Sequence, residues 1–511
     1  MLRFGPWITW RVMSDTSSLA ASSTLWRDTQ IALWNALKIG GSLLATWTVA
    51  VAVRFVLPRL LGPEGYGVYN FTEAFATSFF VLASLGIETY VQKEIPVRAE
   101  HASDFFGGVL TLRLALGVAL FAAMAAILHF GGRPPQVRLM VYLFAVGQLL
   151  FLSNATFSAM LHARGTVDGL SVVTVLAKLL WGAGILAALT SRTGLIGLAA
   201  AFALAEAVKA AALFSLCRRH LALRLHIDLA QTKRVVISSL PFFVTTLTTT
   251  LFSKLDDTLV GFLASDREVG WFGVASNLSQ VALLMTPLIG SVVLPLFSRV
   301  ATRSRAELDN VMRRSLEVIL MIAIPASLAL GLGADVWVRI VGGPDYAPAA
   351  LALRILAPVF VLTYVAMICA DCLYVEGKSW RVTWVCLGGL VINVTLNATL
   401  IRPMLAALGP GGAGVGAAVA TIGTEAFTCC LFTLAIGRRV LDRRLVSTVA
   451  RLAAVCAAVF VLHRLCAFLG PARLALDAAA YAGLALLTGA VRVGEIREFA
   501  SSALKVKQST A

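Results

Sequence analysis

The sequence predicts an all-α integral membrane protein of about fourteen transmembrane helices. Two parallel six-helix lobes are expected around a central cavity, with two extra helices at the C-terminal end. Three observations predict this. Of 511 residues, 59% are apolar and 14% charged, against about 45–50% and about 25% in soluble domains. Fourteen apolar runs approach the roughly 20 residues that a bilayer span needs. Two weak duplications stand six spans apart. The composition excludes an ordinary soluble enzyme, a disordered chain and a secreted disulfide scaffold.

Residues 1–30 read as a cytoplasmic tail, because Arg11, Asp15, Arg27 and Asp28 interrupt any apolar core of signal-peptide type. Charge, Pro or Gly then bounds spans at 38–61, 68–92, 104–130, 139–161, 168–190 and 193–216. These six lie in an N-lobe, 31–230. A C-lobe, 231–440, holds spans at 235–263, 268–298, 315–338, 347–376, 382–401 and 412–437. Spans 445–463 and 474–491 form the extra pair within 441–495, and 496–511 is a second cytoplasmic tail. Two connections are long and basic, 217–234 and 299–314, and the first falls near mid-chain.

Lys and Arg number 43 against 27 Asp and Glu, a formal charge of +16. In a soluble domain that excess would suggest nucleic acid. Here it sorts by side instead. With both termini cytoplasmic, inner tails and loops hold 27 basic residues, outer loops and helix ends 10, and six lie within spans. That asymmetry is the one expected of cytoplasmic loops. The eight cysteines fall in or beside apolar runs, and the Cys369-Ala-Asp-Cys372 spacing lies inside a hydrophobic stretch, where packing explains it.

The first duplication pairs two turns. Leu61-Gly62-Pro63-Glu64-Gly65-Tyr66-Gly67 opens the second span, and Ala264-Ser265-Asp266-Arg267-Glu268-Val269-Gly270-Trp271-Phe272 opens the eighth. Each is a short polar turn followed by Gly and an aromatic residue. The second duplication pairs Gly197-Leu198-Ala199-Ala200-Ala201 with Gly416-Ala417-Ala418-Val419-Ala420. An even number of spans separates the copies, so the repeat is parallel, with a pseudo-two-fold axis along the membrane normal.

At these residues the chain resembles the polysaccharide transporter family of the multidrug/oligosaccharidyl-lipid/polysaccharide exporter superfamily. The turn at Gly62-Pro63-Glu64-Gly65-Tyr66-Gly67 carries the resemblance. So do Lys254-Leu255-Asp256-Asp257-Thr258, Pro295-Leu296-Phe297-Ser298-Arg299 and Ile392-Asn393-Val394-Thr395-Leu396-Asn397. The loop 402–412 is longer than the pattern expects. The resemblance implies a flippase of the bacterial inner membrane. It would move an undecaprenyl-diphosphate-linked oligosaccharide by alternating access, coupled to an ion, for lipopolysaccharide, capsule or exopolysaccharide assembly. Its implied partners are that substrate, membrane lipids and the polysaccharide polymerase and chain-length machinery. A multidrug exporter and a lipid II flippase are the alternatives from the same superfamily.

A charge near the bilayer centre costs at least about 2.5–3.5 kcal/mol, so it faces a cavity or a partner. Lys254, Arg54, Arg113, Lys178 and Arg354 are therefore candidates for a cationic lumen that holds a diphosphate, and Glu73 is the acidic candidate beside them. Lys254 and Asp257 are three apart on one helix face, so mutual neutralisation is the competing reading. Glu206 and Lys209 read as such a pair. Glu88, Asp371 and Glu425 have no evident same-helix partner. Asn393 and Asn397 share a face four residues apart; with Thr421 and Asp256 or Asp257 they offer oxygen ligands to a hard cation such as Na⁺. Interhelical hydrogen bonding explains the same residues. No catalytic group, cofactor motif, nucleic-acid interface or His/Cys metal spacing is evident. Gly377-Lys378-Ser379 lacks the earlier glycine of a P-loop, since Cys372 stands there.

Overall fold

In hydrocarbon every backbone polar group must find its partner within the chain, which leaves helices as the economical solution. The computed structural model describes residues 13–87, 105–163, 167–191, 193–221, 228–439 and 442–491, and among these every regular element is helical. The chain runs through α1 (Met13–Phe80), α2 (Leu110–Phe130), α3 (Pro135–Ala163), α4 (Val167–Thr190) and α5 (Gly194–Leu221). It continues through α6 (Leu229–Leu263), α7 (Asp266–Val281), α8 (Thr286–Ala301), α9 (Arg305–Leu332) and α10 (Ala334–Val341). The last six are α11 (Ala349–Leu356), α12 (Val359–Val375), α13 (Ser379–Leu408), α14 (Gly412–Ile436), α15 (Arg443–Leu465) and α16 (Arg473–Leu487).

Among the described residues ten helices are long and apolar enough to cross a membrane. They become eleven if Ala230–Leu240 and Phe243–Leu263, bent by 58°, form one span. The difference from fourteen has local causes. One of the ten runs from Leu44 to Ala83 across a break at Gly62, whose φ of 67° suits glycine alone without strain. The expected eighth span is divided into α7 and α8, of 16 residues each, and the fourteenth, α16, has 15.

Several boundaries also move. α9 starts ten residues before the expected 315, because the Ser304 hydroxyl accepts from the Glu307 amide and caps it. α10 follows as a separate helix after Gly333. The stretch 402–412, read as a loop, is helical to Leu408 with Pro403 inside, and the connection shrinks to three glycine- and proline-rich residues. The expected N-terminal tail carries the first turns of α1 from Met13 onward.

The long helix α1 is the hub. The helix as a whole packs on α3, α4, α6 and α7, with its first limb, through Val49 and Val53, lying along α4. α13 lies along α14 and α6, while α9 joins α12 and α15. The largest apolar cluster takes Phe71, Phe75 and Phe144 from the first helices and Trp271, Phe272 and Leu353 from later ones. A second cluster, with Phe297, Met312, Phe360, Leu452 and Tyr481, ties α15 and α16 to α8, α9 and α12.

The duplicated turns meet each other. A side chain added at Gly67 would fall on the carbonyl of Asp266, and one added at Gly270 would fall on the carbonyl of Pro63. Gly67 and Gly270 are equivalent at an offset of 203 residues, and Pro63 and Asp266 are equivalent at the same offset. Reciprocal contacts of this kind are what a two-fold relation produces at a self-complementary patch. Small residues at the crossing let the two backbones approach this closely. The other repeated glycines also play matching parts. Gly197 packs against the end of the preceding helix at Ala188, and Gly416 against Ile401.

Candidate functional site

At about 100° per residue, Lys254 and Asp257 share one face of α6, and Asp256 points to another. The two faces meet different halves of the chain. Lys254 Nζ lies 2.6 Å from Glu73 Oε2 on α1, with side chains 16% and 26% exposed. Asn70, one turn before Glu73, donates its Nδ2 to Asp257 Oδ1 at 2.8 Å. Farther along, Asn277 Nδ2 donates to the Tyr66 hydroxyl at 2.6 Å. On the competing reading of Lys254 with Asp257, the two stay within electrostatic reach while each hydrogen-bonds a partner on α1.

Asp256 turns toward α13 and α14. Its Oδ1 accepts from Asn393 Nδ2 at 3.0 Å and Asn397 Nδ2 at 2.7 Å, and its Oδ2 from Thr421 Oγ1 at 2.6 Å. The Thr421 hydroxyl is also 2.9 Å from the Ala417 carbonyl, and its single proton serves one acceptor at a time. Asp256, Asn393 and Asn397 are all buried, and the side-chain carbonyl oxygens of both asparagines have no hydrogen-bond partner. Rotating each amide by half a turn would exchange its O and N with almost no change of shape. One carboxylate, two amide oxygens and a hydroxyl would then face one another, in exchange for the Asn397 Nδ2 bond to the Asn393 carbonyl. That all-oxygen donor set fits a hard cation. No cluster of three His, Cys, Asp or Glu suited to a metal occurs among the described residues.

Near Glu73, Lys178 stands 3.7 Å over the Trp181 ring. It is within electrostatic reach of Arg54, Lys209, Glu206 and Glu73, and Arg54 is within reach of Tyr66 and Tyr69. Arg54, Lys178, Glu73 and Lys254 thus form one charged neighbourhood. The expected Glu206–Lys209 pairing is corrected, since the Glu206 carboxylate accepts from Asn154 Nδ2 at 2.8 Å.

Two lumen candidates belong elsewhere. Arg113 is 1% exposed and donates to the carbonyls of Ala83, Ser84 and Leu152 and to the Thr156 hydroxyl. It clasps the irregular turn after α1. Arg354 pairs with Asp335 where α10 and α11 meet. Glu88 lies outside the described residues.

Both ends of the bundle carry ion pairs. At the α6–α7 turn, Arg133 bonds Asp266 Oδ1 at 2.9 Å and the Gly261 carbonyl, with its guanidinium 4.3 Å over the Phe71 ring. At the opposite end, beyond α12, Glu376 is held by Arg439 and Lys378. The Arg439 hydrogen bond and charge hold its carboxyl down to about 2, despite some burial. Sequence reasoning missed Asn70, Asn277 and Arg133. Only the 203-residue repeat pointed at their neighbourhood.

A family model described as polysaccharide biosynthesis protein matches residues 33–301. Among the curated proteins, none is significantly similar to the chain. Among solved structures, the lipid II flippase MurJ in an inward closed conformation aligns with a TM-score of 0.67 at 10% identity. The alignment covers 89% of this chain and 98% of that one. An inward-facing multidrug resistance MATE family transporter of the MOP superfamily aligns with a TM-score of 0.62 at 16% identity, over 79% and 95%. A MOP superfamily transporter from Pyrococcus furiosus, described as having a binding pocket of reverse polarity, aligns at 0.53 and 16%, over 80% and 96%. At these identities the likeness establishes the fold.

Proposed function

The chain belongs to the polysaccharide biosynthesis protein family, and from that premise we propose that it is an ion-coupled flippase for a lipid-diphosphate-linked oligosaccharide. It would work in the bacterial inner membrane with both termini cytoplasmic, by alternating access between an N-lobe, 31–230, and a C-lobe, 231–440. The observation that carries this reading is the Lys254–Glu73 pair, which joins the proposed lobes beside Arg54 and Lys178.

A compact ammonium on a flexible stem can exchange one anionic partner for another. In this conformation Lys254 holds Glu73. A substrate diphosphate entering between the lobes would compete for Lys254, and Arg54 and Lys178 would add charge to the same ligand. Releasing Glu73 removes one of the bonds by which α1 and α6 are held together, so substrate binding and lobe separation share one switch. A cation bound by Asp256, Asn393, Asn397 and Thr421 would act on the opposite face of the same helix. Binding there fixes α6 to α13 and α14, two residues from Lys254.

The test is a strain lacking the chain. Undecaprenyl-linked intermediates are extracted and their leaflet is determined with a membrane-impermeant glycan-modifying enzyme. The proposal expects complete lipid-linked oligosaccharide to accumulate on the cytoplasmic leaflet, with surface polysaccharide lost. Normal intermediates with heightened sensitivity to cationic dyes would overturn it in favour of a drug exporter. Accumulated lipid II would point to the peptidoglycan precursor instead.

A further inference from the structure

Away from α1 and α6, two adjoining cavities lie where α9 meets the last two helices. The first, about 470 Å³, is lined by Arg354, Arg464 and Arg473 together with Ser327 and His463. The second, about 560 Å³, is walled by Pro325, Ala326, Ala329, Leu474, Ala478 and Tyr481. Leu328 and Leu332 line both, so the basic mouth and the apolar groove adjoin along α9. His463 Nδ1 and Asp477 Oδ2, 2.6 Å apart and buried, tie α15 to α16 and fix the wall between the two cavities.

We propose that this composite cavity binds an anionic glycerophospholipid of the surrounding bilayer, phosphate in the mouth and acyl chain in the groove. Charge complementarity argues for that occupant. Arg354 has a carboxylate partner in Asp335. Among the described residues, Arg464 meets the Phe460 ring and neither Arg464 nor Arg473 has an ion pair. Guanidinium forks match phosphate oxygens bidentately, and basic pockets between membrane helices hold phospholipid headgroups. Trp337 lines the groove while 36% exposed, as suits a ring at headgroup level. No residue of α6, which carries Lys254 and Asp256, lines either cavity, which sets this ligand apart from the proposed substrate path. The bound lipid would brace α15 and α16 against α9.

Native mass spectrometry of the whole purified protein, incubated with equal phosphatidylglycerol and phosphatidylethanolamine, tests this. Wild type is expected to retain phosphatidylglycerol preferentially. Arg464→Gln with Arg473→Gln should lower that retention by about twenty-five-fold, roughly fivefold per arginine. Ala478→Trp, which fills the groove without touching charge, should lower it also. Equal retention of both lipids, or undiminished retention in both variants, would overturn the proposal. Displacement of phosphatidylglycerol by stoichiometric undecaprenyl diphosphate would overturn it too, since the site would then belong to the substrate. Displacement by inorganic phosphate alone would show that the groove takes no part, with the same consequence.

Discussion

Lys254 on α6 and Glu73 on α1, 181 residues apart in sequence, meet at 2.6 Å and join the two halves of the chain. The pair is partly open to solvent, so its worth is below that of a fully buried one. A double-mutant cycle with Lys254→Met and Glu73→Gln is expected to give a coupling of about 0.5–3 kcal/mol. Thermal unfolding of the four proteins in detergent measures it, and additive single changes would deny the pair.

Asp256 sets the second prediction. Sodium should raise the melting temperature where the same concentration of choline does not. At a hundredfold excess over its dissociation constant the gain is about 2.7 kcal/mol. Asp256→Asn and Asn397→Leu should each remove the sodium effect. A sodium response unchanged in both variants would place the cation elsewhere.

The crossing of Gly67 and Gly270 gives the third. Their backbones touch the carbonyls of Asp266 and Pro63, so Gly67→Ala or Gly270→Ala should cost about 1–3 kcal/mol by forcing the helices apart. Gly65→Ala meets only ordinary contacts, with Leu61 Cβ 3.4 Å away, and should leave the melting temperature nearly unchanged. Apparent melting temperatures of the three variants decide between specific close approach and general helix propensity.

Glu376 yields a pH dependence. Its folded carboxyl is held at about 2 by Arg439, below its ordinary 4.5. A depressed carboxylate contributes its full stability above the unfolded value and loses it as pH falls toward the folded one. Melting temperature should therefore decline between about pH 4.5 and 2, and Arg439→Gln should flatten that part of the curve. A parallel decline in the variant would assign the loss to other carboxylates.

The helical architecture was legible because spans announce themselves through length and apolarity, and the cost of unpaired charge marks residues worth watching. The Asp256 centre was legible for the same reason. Asn393 and Asn397 share a helix face by spacing alone, and a buried carboxylate needs donors. Arg113 and Arg354 were misplaced because charge within a span does not reveal what satisfies it. One is held largely by main-chain carbonyls and the other by a carboxylate at a helix end. The stretch 402–412 was read as a loop, yet α13 continues through Pro403 to Leu408. The partners of Lys254 and Asp257 lay beyond any local pattern, on a helix nearly two hundred residues away.

The exchange of Glu73 for a substrate diphosphate at Lys254 is the centre of the account. Its most direct test is the initial rate at which purified protein in liposomes moves a lipid-diphosphate-linked oligosaccharide between leaflets. Wild type should translocate it, Lys254→Arg should retain part of the rate, and Lys254→Ala should lose at least about tenfold, the equivalent of 1.4 kcal/mol. A Lys254→Ala protein that moves the lipid at the wild-type rate would contradict the account.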